Sequence, residues 1–296
     1  MFAPKYYNRF RCIAERCTHS CCVGWEIDVD EATLSLYRTL EGEIGEQIRE
    51  SITVSEDGSS CFALRPDGRC PHLDDCGLCR IISALGDGAL CDICAEHPRF
   101  YNEVAGRTEC GVGASCEEAA RLILAERDYA SIECVGGENE ENSHTCADFD
   151  VLGERSALYT LLSGEGALQE RLGRIAERFG ASRLGVERRT ALLAELEYLD
   201  GAHKALLMSC APSDTLTPDD EVLCERFFAY LVYRHASPEC TAEGFGAAVG
   251  VALLVSELFA SLIASGEDAV QSARVLSEEI EYCEENVARI RDALIQ

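Results

Sequence analysis

The sequence predicts a mainly α protein, with a Cys-rich, metal-binding N-terminal part on an all-helical C-terminal bundle. Three observations carry that expectation. Apolar residues recur at intervals of three and four through the second half. Twelve of the 18 cysteines fall within the first 116 residues. No internal repeat or strongly β-like run is visible, apart from short strand candidates at Trp25–Val29 and Phe100–Ala105. The boundaries follow as a cysteine-rich part over 1–130, an acidic connector over 131–150 and a helical bundle over 151–296.

The first helix opens near Asp30. Leu34, Tyr37, Leu40 and Ile44 share helical spacing, and Gly42 and Gly45 weaken it. SEDGSS and RPDGR, within 55–69, read as turns. A short helix around Leu78–Leu85 ends at Gly86 and Gly88, and Pro98 stops any helix that holds Cys94. Ser115, followed three residues later by Glu118, reads as a capping box for AARLILAER. That places Cys116 at the first helical position, where the helix dipole favours a thiolate. Residues 131–150 hold six acids and no Lys or Arg, as a solvated connector does.

Beyond the connector, Leu168, Leu172, Ile175 and Phe179 follow 4-3-4 spacing, and Leu192, Leu196, Leu199 and Leu206 continue the habit. Thr217-Pro218 is a helix start, an N-cap followed by Pro at the first position. Residues 244–264 are nearly all apolar and long enough to span a bilayer. Glu257 within them, and no close flanking Lys or Arg, favour the buried central helix of a bundle. A last helix over 267–295 carries a seam of Ala273, Leu276, Ile280, Cys283, Val287, Ile290 and Leu294, which makes Cys283 a core residue.

The formal charge is −27. So acidic a chain is a poor partner for nucleic acid or for an anionic membrane. It draws in cationic targets, such as a lysine-bearing protein surface. The start, MFAPKYYNRFRC, lacks the apolar core of a signal peptide, so a cytoplasmic chain with reduced thiols is expected. Lys5, Arg9, Arg11 and Arg16 form a local basic surplus, read as a collar for an anionic centre.

The cysteine spacings are Cys12-x4-Cys17-x3-Cys21-Cys22, then Cys70, Cys76-x2-Cys79, Cys91-x2-Cys94, Cys110 and Cys116. Thiolates select zinc, copper(I) or iron–sulfur clusters. Two C-x2-C pairs suggest zinc, but the adjacent Cys21-Cys22 pair and the irregular intervals suit the larger iron–sulfur body. The C-x3-C-x2-C spacing of radical S-adenosylmethionine chemistry is absent, because Gly24 stands three residues after Cys21. His19, His72 and His97, beside cysteines, are further candidate ligands, and Trp25 is either a core anchor or a cofactor platform.

The chain resembles the flagellin lysine-N-methylases. The resemblance rests on PKYYNRFRC at 4–12, Cys17, CCVGWEIDVD at 21–30, CPHL at 70–73, GLCRI at 77–81 and CAEHPR at 94–99. SCEEAARLIL at 115–124 and FFAYLVYRH at 227–235 complete it. It departs at Glu117, where the family has a Pro, and in its wealth of other cysteines. The resemblance implies a bacterial enzyme that transfers methyl groups from S-adenosylmethionine to lysines of flagellin. It also implies a 4Fe-4S cluster on Cys12, Cys17, Cys21, Cys22, Cys70, Cys79, Cys94 and Cys116. Cys61, Cys76, Cys91 and Cys110 fall outside the shared pattern. Lysine must lose a proton before it attacks, and Glu96, Tyr101, Glu109, Tyr230 and Tyr233 are the acid–base candidates. Two other classes compete: a non-catalytic iron- or zinc-binding or electron-transfer protein, and a structural zinc protein with a helical interaction body.

Overall fold

The computed structural model describes residues 1–55, 58–136, 148–211 and 216–295. Helix makes up 56% of it, with a small sheet alongside, so the mainly helical class holds.

In chain order the first elements are β1 (Phe2–Pro4), α1 (Glu31–Thr39), α2 (Gly42–Glu50), β2 (Ile52–Val54) and β3 (Ser60–Phe62). Then come α3 (Arg80–Leu85), α4 (Asp92–Glu96), β4 (Arg99–Val104), β5 (Arg107–Val112), α5 (Glu117–Ala125) and β6 (Ile132–Cys134). The rest is helical: α6 (Val151–Leu162), α7 (Leu168–Phe179), α8 (Val186–Glu195), α9 (Gly201–Ser209) and α10 (Pro218–Leu231). It finishes with α11 (Ala242–Ala264), α12 (Ala269–Leu276) and α13 (Glu284–Ile295).

The chain divides into two compact units, Arg11–Pro98 and the combination of Met1–Phe10 with Arg99–Gln296. This is not the division expected at residue 130. Its physical reason is a four-stranded sheet of order β4-β5-β1-β6. Strand β1 runs parallel to β5 and antiparallel to β6, with Phe2 opposite Glu109 and Cys134. That pairing draws the first ten residues, and everything from β4 onward, into the helical unit. It also takes Ile132–Cys134 out of the expected connector; residues 137–147 of that connector lie outside the described ones.

In the larger unit α11 is the axis. It packs on α7, α10, α12 and α13, and 83% of its apolar window is buried. Its wall is apolar because every side has a neighbour, as in the core helix of a bundle. Thr217 caps α10 with a reciprocal box: its side chain accepts from Asp220 N, and Asp220 accepts from the Thr217 backbone. The last helix is not continuous. It is α12, a π-helical turn over Ser277–Glu281, and α13. The turn shifts the register, so Cys283 leaves the seam and lies half-exposed beside Glu285.

The smaller unit is built on Ile27, Tyr37, Ile48, Phe62 and Ile81, with Cys70 and Cys91 among its buried residues. The single helix expected from Asp30 is two. Asp30 caps α1 through Thr33 N at 2.8 Å, and Gly42, at φ +81°, turns the chain into α2. Any Cβ at Gly45 would lie 2.6 Å from the Leu40 carbonyl oxygen, so the tight corner requires glycine there.

Candidate metal centre

Loop hydrogen bonds in the smaller unit converge on sulfur. The Cys70 amide donates to the Cys22 carbonyl at 2.8 Å, beside an antiparallel bridge between Val23 and Arg69. A second bridge joins Leu73 to Cys79, and Arg80 N donates to the His72 carbonyl at 2.8 Å. Cys79 stands at the N-terminal end of α3 and Cys91 at that of α4. The Cys94 amide bonds back to the Cys91 carbonyl at 3.0 Å, which closes the C-x2-C turn. Asp30 Oδ2 accepts from Asp92 N at 2.9 Å, and Tyr37 Oη donates to the Ala89 carbonyl at 2.7 Å; these contacts tie the start of α4 and the segment before it to α1.

The result is a group of five thiols packed in one core: Cys22, Cys70, Cys79, Cys91 and Cys94. Their electrostatics show the proximity. Burial pushes the Cys70 thiol up to about 11, and charge on Cys22, Cys79 and Cys91 adds to the rise. Burial also raises Cys79, with Cys22 and Cys91 adding to it, while the Ile81 and Ile82 amides pull it back. Cys22 moves the other way, to about 7, because Cys21 donates to it, with help from Ser20 and Arg69. Cys91 is lowered by a hydrogen bond from Cys94, whose own thiol rises. Crowded thiolates repel one another, and a cation among them removes that penalty.

The donor set fits an inorganic centre on a second ground. His72 is 2% exposed, and its Nε2 sits 2.8 Å from Ser51 Oγ, but its Nδ1 is buried with no partner. Burial lowers its pKa to about 4, so the imidazole is neutral, as a ligand must be. Among the described residues, no three thiols bring their sulfurs within 4.8 Å of one another.

Of the eight cysteines singled out, Cys22, Cys70, Cys79 and Cys94 are thus brought together. Cys21 is exposed and bonds to Cys22. Cys12 is exposed, its sulfur 3.4 Å from Ala14 N, and Cys17 bonds to the His19 carbonyl. Cys116 belongs to the larger unit. It is the N-cap of α5 and not its first residue, and Ser115 makes no cap: its Oγ is buried without a partner. Glu118 spends its carboxylate on Arg121 instead, at 2.6 and 2.7 Å. Cys91 was missed as a member, although its C-x2-C spacing to Cys94 was the available signal. Trp25 is half-buried against the same core; its Nε1 donates to the Cys21 carbonyl at 2.7 Å and its ring lies 6.1 Å from that of His97. Of the basic residues expected to form a collar, Lys5 pairs with Asp128 and Arg9 with Glu126 in the larger unit, whereas Arg11 and Arg16 belong to the smaller one.

Fold and site together define a class: a mainly helical, cysteine-rich chain with a polythiol core. No family model matches it, and no solved structure matches it. Known relatives narrow the class. The chain is 28% identical over 134 residues to the Lysine-N-methylase of Salmonella typhimurium, a stretch that covers 44% of this chain and 33% of that one. The Lysine-N-methylase of Salmonella choleraesuis matches to the same extent. Flagellar biosynthetic protein FliU of Salmonella muenchen is also 28% identical over 134 residues, covering 79% of its length. The chain therefore spans about a third of the two methylases it resembles.

Proposed function

We propose that the chain is a protein-lysine N-methyltransferase. It moves methyl groups from S-adenosylmethionine to surface lysines of flagellin, in the bacterial cytoplasm. The observation that carries the reading is the similarity to proteins named Lysine-N-methylase, and the name of FliU supports a flagellar substrate. The formal charge of −27 suits a cationic target.

A 4Fe-4S cluster is the centre proposed for Cys22, Cys70, Cys79, Cys91 and Cys94, with four of the five thiolates as ligands. When bound it supplies a fixed, redox-capable scaffold in the smaller unit. The chain's own residues govern the proton that lysine must lose, whose ordinary pKa is about 10.4. Tyr230 and Tyr233 do not serve. Both are buried, burial raises both, and their hydroxyls are engaged with Ala114 N and the Cys110 carbonyl at 3.0 Å. Glu109 is held between Arg155 and Arg107. Tyr101 and Glu96 remain as solvent-facing groups.

The test is transfer itself: anaerobically prepared, iron-loaded protein with methyl-labelled S-adenosylmethionine and flagellin. Label on flagellin lysine is the expected result. The polythiol core also supports the second reading, a non-catalytic metal or electron carrier. A cluster-loaded sample that labels no lysine establishes that one in place of the first.

A further inference from the structure

The larger unit contains a cavity of about 620 Å³ that nothing above uses. That volume is ordinary for a small-molecule site. One wall is a stripe of α6, on which Leu152, Arg155, Ser156, Tyr159, Thr160 and Ser163 recur at helical spacing. Facing it are the segment that follows α5, from Arg127 to Ile132, and Arg107 and Glu225.

Its charge is opposite to that of the protein. Acids outnumber bases 53 to 26 in the chain, yet three arginines and two acids line this space. Each acid already has a cation: Asp128 is paired with Lys5, and Glu225 with Arg171. Arg155 and Arg107 share a single carboxylate, Glu109. Arg127 has no ion pair among the described residues. Among the described residues, the lining is therefore left with positive charge that no ion pair balances.

Hydrogen-bond capacity points the same way. A guanidinium has five N–H donors. Arg155 directs three bonds, two to Glu109 and one to Ser237 at 2.8 Å. On the helix stripe, Thr160 and Ser163 donate to the carbonyls of Ser156 and Tyr159 at 2.9 Å, so they meet a ligand as acceptors. Tyr129 and Tyr159 stand edge-to-face, centroids 5.7 Å apart, beside Leu152 and Ile132. The site thus combines an anion-binding end, an aromatic and apolar wall, and acceptors for N–H or O–H groups.

We propose that this cavity binds a nucleoside carrying an anionic head group, the head held by Arg127 and Arg107 and the flat base against the tyrosine wall. The shared chemistry is the anion on a nucleoside body; its source is either a phosphate or a carboxylate. The proposal does not depend on methyl transfer.

The test is equilibrium dialysis of the full chain against AMP, which has a phosphate head, S-adenosylhomocysteine, which has a carboxylate, and adenosine, which has neither. At least one of the first two is expected to bind about tenfold or more tightly than adenosine, the worth of one charge-assisted bond. Preference for AMP identifies the phosphate source, and preference for S-adenosylhomocysteine the carboxylate. Arg127→Glu is expected to weaken that binding about tenfold or more. Ser156→Trp, on the exposed side of α6, is expected to block it, with circular dichroism unchanged in both variants. The proposal is overturned if neither anionic probe binds below about 1 mM. It is equally overturned if adenosine binds as well, or if Arg127→Glu leaves affinity unchanged. Flagellin labelling reads the methylase proposal separately, so either can fail alone.

Discussion

The ion pair between Arg155 and Glu109 ties the sheet to the bundle, and cutting it has a calculable consequence. Glu109, on β5, is 1% exposed; Arg155, on α6, is 5% exposed. The guanidinium meets both carboxylate oxygens inside the core, at 2.5 and 2.9 Å. Removing one partner of such a pair costs about 3–5 kcal/mol, because the other charge stays buried. Here Arg107 Nε remains 3.1 Å from Glu109, so Arg155→Met is expected at the lower end, about 3 kcal/mol. Replacing both members removes the orphaned charge. The Arg155→Met/Glu109→Leu double variant is therefore expected to be at least about 1.5 kcal/mol more stable than Arg155→Met alone. Urea unfolding followed by circular dichroism at the helix band reads the larger unit. The single tryptophan, Trp25, lies in the smaller unit and gives a separate fluorescence signal. If the double variant is no more stable than Arg155→Met, or if Arg155→Met unfolds at the wild-type urea concentration, the pair is not what joins these elements.

Two further expectations concern the larger unit. A Cβ at Gly246 on α11 would lie 2.3 Å from the Phe179 carbonyl oxygen, whereas one at Gly173 on α7 meets nothing within 4 Å. Gly246→Ala should destabilise by about 1–3 kcal/mol and Gly173→Ala should stabilise by about 0.5–1 kcal/mol in the same urea assay; the reverse order would refute the packing of α7 on α11. His203 titrates above the ordinary histidine range because Glu279 accepts from its Nδ1 at 2.7 Å, which outweighs burial. Folding therefore favours its protonated form. That contribution is full below about pH 6.5 and is lost as pH rises through the elevated folded value. The stability advantage of wild type over His203→Gln should shrink as pH rises above about 6.5, and an advantage that is constant or grows over that rise contradicts the sign.

The helices were legible because their signals are local. Asp30 and Thr217-Pro218 announce their caps within three residues, and the 4-3-4 spacing of Leu168 to Phe179 is a stripe that α7 buries. The sheet was not legible because its signal is distributed. Strands β1 and β6 are three residues each, too short to alternate, and they meet across about 130 residues of chain. The division at Phe10 and Pro98 follows from that pairing and was hidden with it. Among the sulfurs, spacing named the two C-x2-C pairs but could not order them. A backbone bond between distant loops joins Cys70 to Cys22, and the side chains of Asp30 and Tyr37 hold the segment around Cys91; no spacing encodes either. The break at Ser277–Glu281 was invisible because a π turn adds one residue to an otherwise unbroken apolar seam.

The polythiol core is the point on which the metal-centre reading turns, and direct analysis of its contents decides it. Iron, zinc and acid-labile sulfide should be measured in anaerobically purified protein. The comparison is between wild type, a Cys70→Ala/Cys79→Ala variant and, as control, Cys134→Ala, whose thiol is exposed on β6. The expected result is iron with matching sulfide in wild type and in Cys134→Ala, and loss of both when two of the five grouped thiols are gone. Zinc without sulfide, or iron retained in full by the double variant, would contradict the assignment.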